Sequence, residues 1–82
     1  MSAVLPTEPF VVGEFEKNSK EVVRVTLHQY AGNDLIGIRA YYEDKSGEVK
    51  PGKGINIRVE QFPHLASLLA DAGAKLKEMG LL

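Results

Sequence analysis

Between Glu21 and Tyr30 the chain alternates: Val23, Val25 and Leu27 share one parity, while Arg24, Thr26, His28 and Tyr30 share the other. A two-residue period of this kind predicts a strand buried on one face only. "AGND" (Ala31 to Asp34) then predicts a turn, and "LIGIRAYYE" a second β run. "DKSGEVKPGKG" carries two turn signals, Ser-Gly and Pro-Gly, and predicts a long hairpin arm. "INIRV" (Ile55 to Val59) closes it as a further strand. Upstream, "FVVGEFEKN" (Phe10 to Asn18) alternates loosely around Gly13 and predicts a short first strand, ended by a turn at "NSK".

After Val59 the period changes. Phe62, Leu65, Leu69, Ala72, Leu76 and Met79 follow one another at spacings of 3, 4, 3, 4 and 3, which is a helical seam. Pro63 has no N–H to donate and fits only a first helical turn, so the helix begins near Glu60 to Phe62. Gly80 marks its end. The fold class expected is therefore α+β: a curved four-stranded antiparallel sheet followed by a C-terminal helix, ββββα. A helix laid over the sheet covers one face and leaves the Arg24 face open. Met1 to Pro9, with Pro6 and Pro9 and no periodicity, reads as a flexible arm preceding a domain at residues 10–82.

Composition narrows the possibilities. A chain of 82 residues makes one domain with one small core, and such domains commonly need a staple or a partner. Cysteine is absent, which excludes disulfides and thiolate metal sites. His28 and His64 are far apart and without ligand-spaced neighbours, so no metal is expected. The support left is oligomerisation. Lys and Arg number 10 against 11 Asp and Glu, but the span from Lys17 to Arg58 holds eight cations and five anions. With no membrane-length apolar run and no signal-peptide pattern, the chain reads as soluble and intracellular, with no membrane partner.

The open face and the arm beside it carry the candidate chemistry. Single-stranded nucleic acid needs flat rings for unstacked bases and cations for phosphates. Tyr30 and Tyr42 supply the rings, Arg39 a cation between them, and Lys50, Lys53 and Arg24 further positive charge. The competing structural reading makes the tyrosines half-buried cross-strand partners and the lysines edge protection. One geometric condition is attached. Arg39 and Tyr42 differ by three positions, so a bulge near Ala40 or Tyr41, or a strong twist, is required to put both on one surface; in a regular strand Tyr41 is the partner of Arg39 and Tyr42 joins the core. "GKG" at Gly52 to Gly54 lacks the rest of a phosphate-binding loop. Glu43, Asp44 and Glu48 read as solvated acids, and no nucleophile or cofactor signature is present, so no enzyme is expected.

The stretch "VRVTLHQYAGNDLIGIRAYYEDKSGEVKPGKGINIRVEQF" resembles the single-stranded-DNA-binding domain of the positive cofactor four (p15-type) transcriptional coactivators. The likeness runs from about Val22 to Leu69 and rests on Tyr30-x-Gly32, "LIGIRAYY", "GEVKPGKGINI" and the "EQF" helix start. It implies a homodimer joined through the helix, which the seam of Phe62, Leu65, Leu69, Ala72 and Leu76 fits, with grooves that take single-stranded DNA or melted duplex with little sequence preference, RNA left open. Tyr30 and Tyr42 would stack on bases, Arg39 and Lys53 would meet phosphates, and Lys50 and Arg24 would assist. A role in transcription, or in replication or repair, and contact with the transcription machinery come with the resemblance, as does a location in the nucleoid or nucleus. Departures point the other way. Ala31 and Asn33 stand where strong binders carry lysines, a usual pair of arm cations is reduced to Lys53, and no Ser/Lys-rich regulatory stretch precedes the motif, a compact form closer to prokaryotic members. The alternative is a structural or protein-interaction dimer that keeps the fold and has lost strong nucleic-acid binding.

Overall fold

The computed structural model describes residues 5, 6 and 8–82. Four antiparallel strands lie in chain order in one sheet: β1 (Phe10–Glu16), β2 (Glu21–Tyr30), β3 (Asn33–Glu43) and β4 (Val49–Arg58). A single 3₁₀ turn (Val59–Gln61) leads into α1 (Phe62–Glu78). The expected ββββα order is what the chain adopts.

Local chemistry explains the boundaries. β2 and β3 are joined by Ala31 and Gly32 alone, with φ of +51° and +79°. Two consecutive positive φ values match the twist that a two-residue hairpin needs, so Asn33 and Asp34 become strand residues instead of turn. β4 begins at Val49, six residues earlier than "INIRV", because Pro51, Gly52 and Gly54 are accommodated in an edge strand at an irregularity. At its far end α1 closes with Gly80 at φ +77°, Gly80 N–H donating to Lys77 O (3.0 Å) and Leu81 N–H to Leu76 O (2.8 Å). That pair of bonds satisfies the last carbonyls of the helix in the way a C-terminal glycine allows.

The helix does not lie where the sequence places it. α1 packs on the 3₁₀ turn and makes little contact with any strand. No residue of α1 is buried. The molecule is a thin slab, 44 × 40 × 16 Å, with a radius of gyration of 15.2 Å. A compact chain of this length has a radius of roughly 12 Å. Ile36, 6% exposed, is the one buried apolar residue among those described. The face expected to be covered is therefore open: Phe10, Phe15, Val23, Val25, Leu27, Ile38, Ala40 and Ile55 share it with Ile36 by register, and Phe15 is 61% exposed.

Of the N-terminal arm expected at residues 1–9, residues 1–4 and 7 lie outside the described residues. Pro6 carbonyl accepts a hydrogen bond from Gln29 N–H at 2.7 Å, which continues the β1 side of the sheet past the end of β1. Leu5 lines an open apolar groove of about 490 Å³ with Val12, Val25, Leu27, Ile36 and Phe62. Asp34 also reaches this groove, and its Oδ1 is buried without a hydrogen-bond partner.

Candidate nucleic-acid interface

β2 and β3 pair without interruption from Glu21↔Tyr42 to Tyr30↔Asn33. Alternation then puts Val22, Arg24, Thr26, His28 and Tyr30 on one surface with their opposites Tyr41, Arg39, Gly37, Leu35 and Asn33. Arg24 and Arg39 face each other directly. Like charges at directly opposed positions destabilise a sheet unless something neutralises them. Arg24 Nε donates to Glu14 Oε1 at 2.9 Å, and its guanidinium stands 4.3 Å from the centre of the Tyr41 ring. Arg39 Nη1 donates to the carbonyl of Gly52 at 2.8 Å. That acceptor is neutral, so Arg39 keeps its charge.

The Gly52 carbonyl is available because β4 bulges there. Arg39 pairs with Gly54 and Tyr41 with Pro51, so Gly52 and Lys53 together oppose the single residue Ala40. Gly54 permits the close approach: a Cβ at that position would sit 2.5 Å from the Ile38 carbonyl oxygen and 2.7 Å from Arg39 Cα. "PGKG" thus builds a bulge that presents a carbonyl to Arg39 and an exposed Lys53 beside it. Lys53 has no ion-pair partner among the described residues. Further along the same surface Gly37 lets Thr26, His28 and Asn56 close over the strand; a Cβ there would come within 2.7 Å of Thr26 Oγ1 and 3.1 Å of Asn56 Oδ1.

The predicted site residues are only partly brought together. Tyr30 stands 71% exposed at the hairpin end of the Arg39 surface. Tyr42 does not join it. The bulge lies in β4 and leaves β3 regular against β2, so Tyr42 falls on the Ala40 and Ile38 side. It is not core either, being 39% exposed, and it joins the wall of a cavity of about 240 Å³ at that end of the sheet with Glu14, Arg24 and Tyr41. Arg24 is on the surface but occupied by Glu14. Lys50 Nζ is 2.9 Å from Asp44 Oδ2. Of the seam residues, Phe62 borders the apolar groove, Leu65 is half-buried, and Leu69, Ala72 and Leu76 are exposed. Tyr41 is the partner of Arg39, as a regular strand requires, whereas Glu14 has no sequence signal, because its contact with Arg24 depends on a bulge at Val12 that sets the β1 register.

The arm between β3 and β4 is ordered by Asp44. Its Oδ1 accepts from Ser46 N–H (2.9 Å), Ser46 Oγ–H (2.6 Å) and Glu48 N–H (3.0 Å). These bonds, the Ser46 hydroxyl first and then Lys50 and the Glu48 amide, bring its pKa down to about 2. Glu21 is also held below the usual carboxylate range, by the Asn18 side chain and then Lys17. Among the described residues no group of three or more His, Cys, Asp or Glu side chains is placed to hold a metal. Nor is any helix among them long and apolar enough to cross a membrane.

The chain thus joins a four-stranded antiparallel sheet and a terminal helix to a surface of opposed guanidiniums and rings. Residues 17–68 match the family described as Transcriptional Coactivator p15 (PC4), and the chain belongs to that family. It is 39% identical over 59 residues to the RNA polymerase II transcriptional coactivator SUB1 of Saccharomyces cerevisiae, a match covering 70% of this chain. The match spans about a fifth (20%) of that relative's length. Among solved structures, a PC4 homolog from Burkholderia pseudomallei K96243 superposes with a TM-score of 0.71 at 22% identity, over 80% of this chain and 98% of that one. MoSub1, solved as a complex with DNA, superposes with a TM-score of 0.63 at 34% identity, over 96% and 95% of the two chains.

Proposed function

We propose that the protein is a non-enzymatic, largely sequence-independent binder of single-stranded DNA or melted duplex, acting in transcription as a homodimer joined through α1. The observation that carries the proposal is the directly opposed pair Arg24 and Arg39 on an open surface, flanked by Tyr41 and Tyr30. Two guanidiniums held face to face call for an anion, and rings on the same surface offer stacking worth about 1–3 kcal/mol per base. Arg39 and Lys53 meet phosphates; Tyr30 and Tyr41 take bases. Tyr42 lies on the other side of β3, at the sheet's end. The likeness to a protein solved with DNA at 34% identity supports the same reading. The place of action that follows is wherever DNA is opened, nucleus or nucleoid; replication, repair and RNA are readings this chemistry also accommodates.

The dimer is argued from what a single copy leaves undone. The apolar sheet face is only partly covered, and the groove bordered by Phe62 and the Leu69 and Leu76 side of α1 are open. A second copy is the simplest surface that covers them.

Titration of a fluorescent oligo-dT at low and moderate salt tests the function. Saturable binding at micromolar protein is expected, weakening with salt by about 0.7 in the log–log slope for each phosphate neutralised on a single strand. Absence of saturable binding favours the interaction-dimer reading, which has its own support: Arg24 and Lys50 already hold carboxylates.

A further inference from the structure

We propose that Glu14 is a built-in stand-in for phosphate, an intramolecular counter-anion that the nucleic-acid strand displaces from Arg24 and that thereby sets affinity and salt dependence. The inference rests on the single-strand-binding reading above and concerns how the same surface is held when empty. Across one row of the open face run Glu14, Arg24, Arg39 and Gly54, each the register partner of the next. The row contains two guanidiniums and one carboxylate. Glu14 Oε1 takes the Nε–H of Arg24 at 2.9 Å while the Tyr41 ring supports the guanidinium from below at 4.3 Å. An oxygen at the guanidinium's Nε–H edge and a ring under its face are contacts that a nucleotide's phosphate and base would also offer this arginine.

The contact is built to be exchanged. The Arg24 and Glu14 side chains retain 27% and 44% of their exposure, and ion pairs that wet are weak and easily replaced. The pair lines the cavity of about 240 Å³ at this end of the sheet, so a phosphate has room to approach Arg24. Arg39, bonded to a carbonyl, needs no such exchange. Binding thus engages Arg39 at once and Arg24 only after Glu14 lets go. Glu16, two residues along the same face, has no ion-pair partner among the described residues and gives a matched control for net charge.

Four proteins are compared by fluorescence titration of oligo-dT across a salt series: the full chain, Glu14→Gln, Glu16→Gln and the double variant Glu14→Gln/Arg24→Gln, each checked for fold by circular dichroism. Glu14→Gln keeps the shape and an acceptor oxygen, so the sheet is expected to persist. The expected result is roughly 3–10-fold tighter binding by Glu14→Gln at low salt, with a slope steeper by about 0.7, the increment of one further phosphate contact. Glu16→Gln should change affinity less than twofold, and the double variant should lose the gain. Equal gains from Glu14→Gln and Glu16→Gln, or a gain that survives in the double variant, overturn the inference while leaving single-strand binding intact. If neither the full chain nor Glu14→Gln binds, the parent reading falls and takes this one with it; binding by Glu14→Gln alone would support the counter-anion in its strongest form.

Discussion

The two faces of one sheet are both uncovered, and for opposite reasons. On one side Phe10, Phe15 and Ile55 are exposed and Val23, Val25, Leu27 and Ile38 only half-buried, because the helix that follows them lies off the sheet. On the other, Arg24, Arg39 and Tyr41 are open because guanidiniums and a ring gain little from an apolar cover. Exposure alone therefore says nothing about the partner; the chemistry of what is exposed does. An apolar face with an orphaned Asp34 oxygen in its groove asks for protein. A face of opposed arginines asks for an anion.

The comparison is broken most forcefully from the helix. Leu69 is 60% exposed in one copy, so Leu69→Asp should leave the protomer's sheet intact and weaken self-association by about 2–4 kcal/mol, as central interface anchors do. Sedimentation equilibrium reads this directly, and a dimer of unchanged strength would remove α1 from the interface. On the other face, Arg39→Ala should weaken oligo-dT binding by about 1.5–3 kcal/mol, the range for hydrogen bonds to charged groups, with the dimer unaffected.

The tyrosines sharpen the assignment of faces. Tyr30→Ala and Tyr41→Ala should each cost about 1–3 kcal/mol of binding, and Tyr42→Ala clearly less than either. Equal losses for Tyr41 and Tyr42 would mean that the strand reaches around the sheet's end. The β2–β3 turn carries a test of stability: Ala31→Asn places at φ +51° a residue that tolerates this conformation better and should raise stability by about 1 kcal/mol. Thermal unfolding should show it as a Tm about 4–8 °C higher, the usual shift for domains of this size.

The smallest effect expected is in the arm. Asp44 has a folded pKa of about 2, below its ordinary value of 3.8. Its contribution to arm order is therefore complete above about pH 4 and is lost as pH falls through about 2. The amide resonances of Ser46 and Glu48 should move in that window, and a midpoint near the ordinary carboxylate value would show that the turn is not held by Asp44.

Much of this architecture is legible from residue order. Strict alternation marks β2 and β3, and the shift to a seven-residue seam marks α1 and its limits at Pro63 and Gly80. The start of β4 is not legible, because "KPGKG" reads as turns until Gly52 and Gly54 are seen to form a bulge against Ala40. The same local ambiguity hid the side of β3 on which Tyr42 lies. Seam periodicity states which residues of α1 are apolar but not what covers them, so the helix's own sheet, which it does not cover, was not excluded by residue order. Register between distant strands, which brings Glu14 to Arg24, is set by the Val12 bulge and leaves no periodic trace.

The central claim, that one face binds the strand and the other binds protein, is tested most directly by amide chemical-shift mapping of the assembled protein with oligo-dT. Shifts confined to Arg24, Gly37, Arg39, Tyr41 and Gly54, with Val25, Ile36 and Leu69 unmoved, are the predicted result. Shifts centred on Val25, Ile36 and the α1 seam, or release of monomers on adding the oligonucleotide, would contradict it.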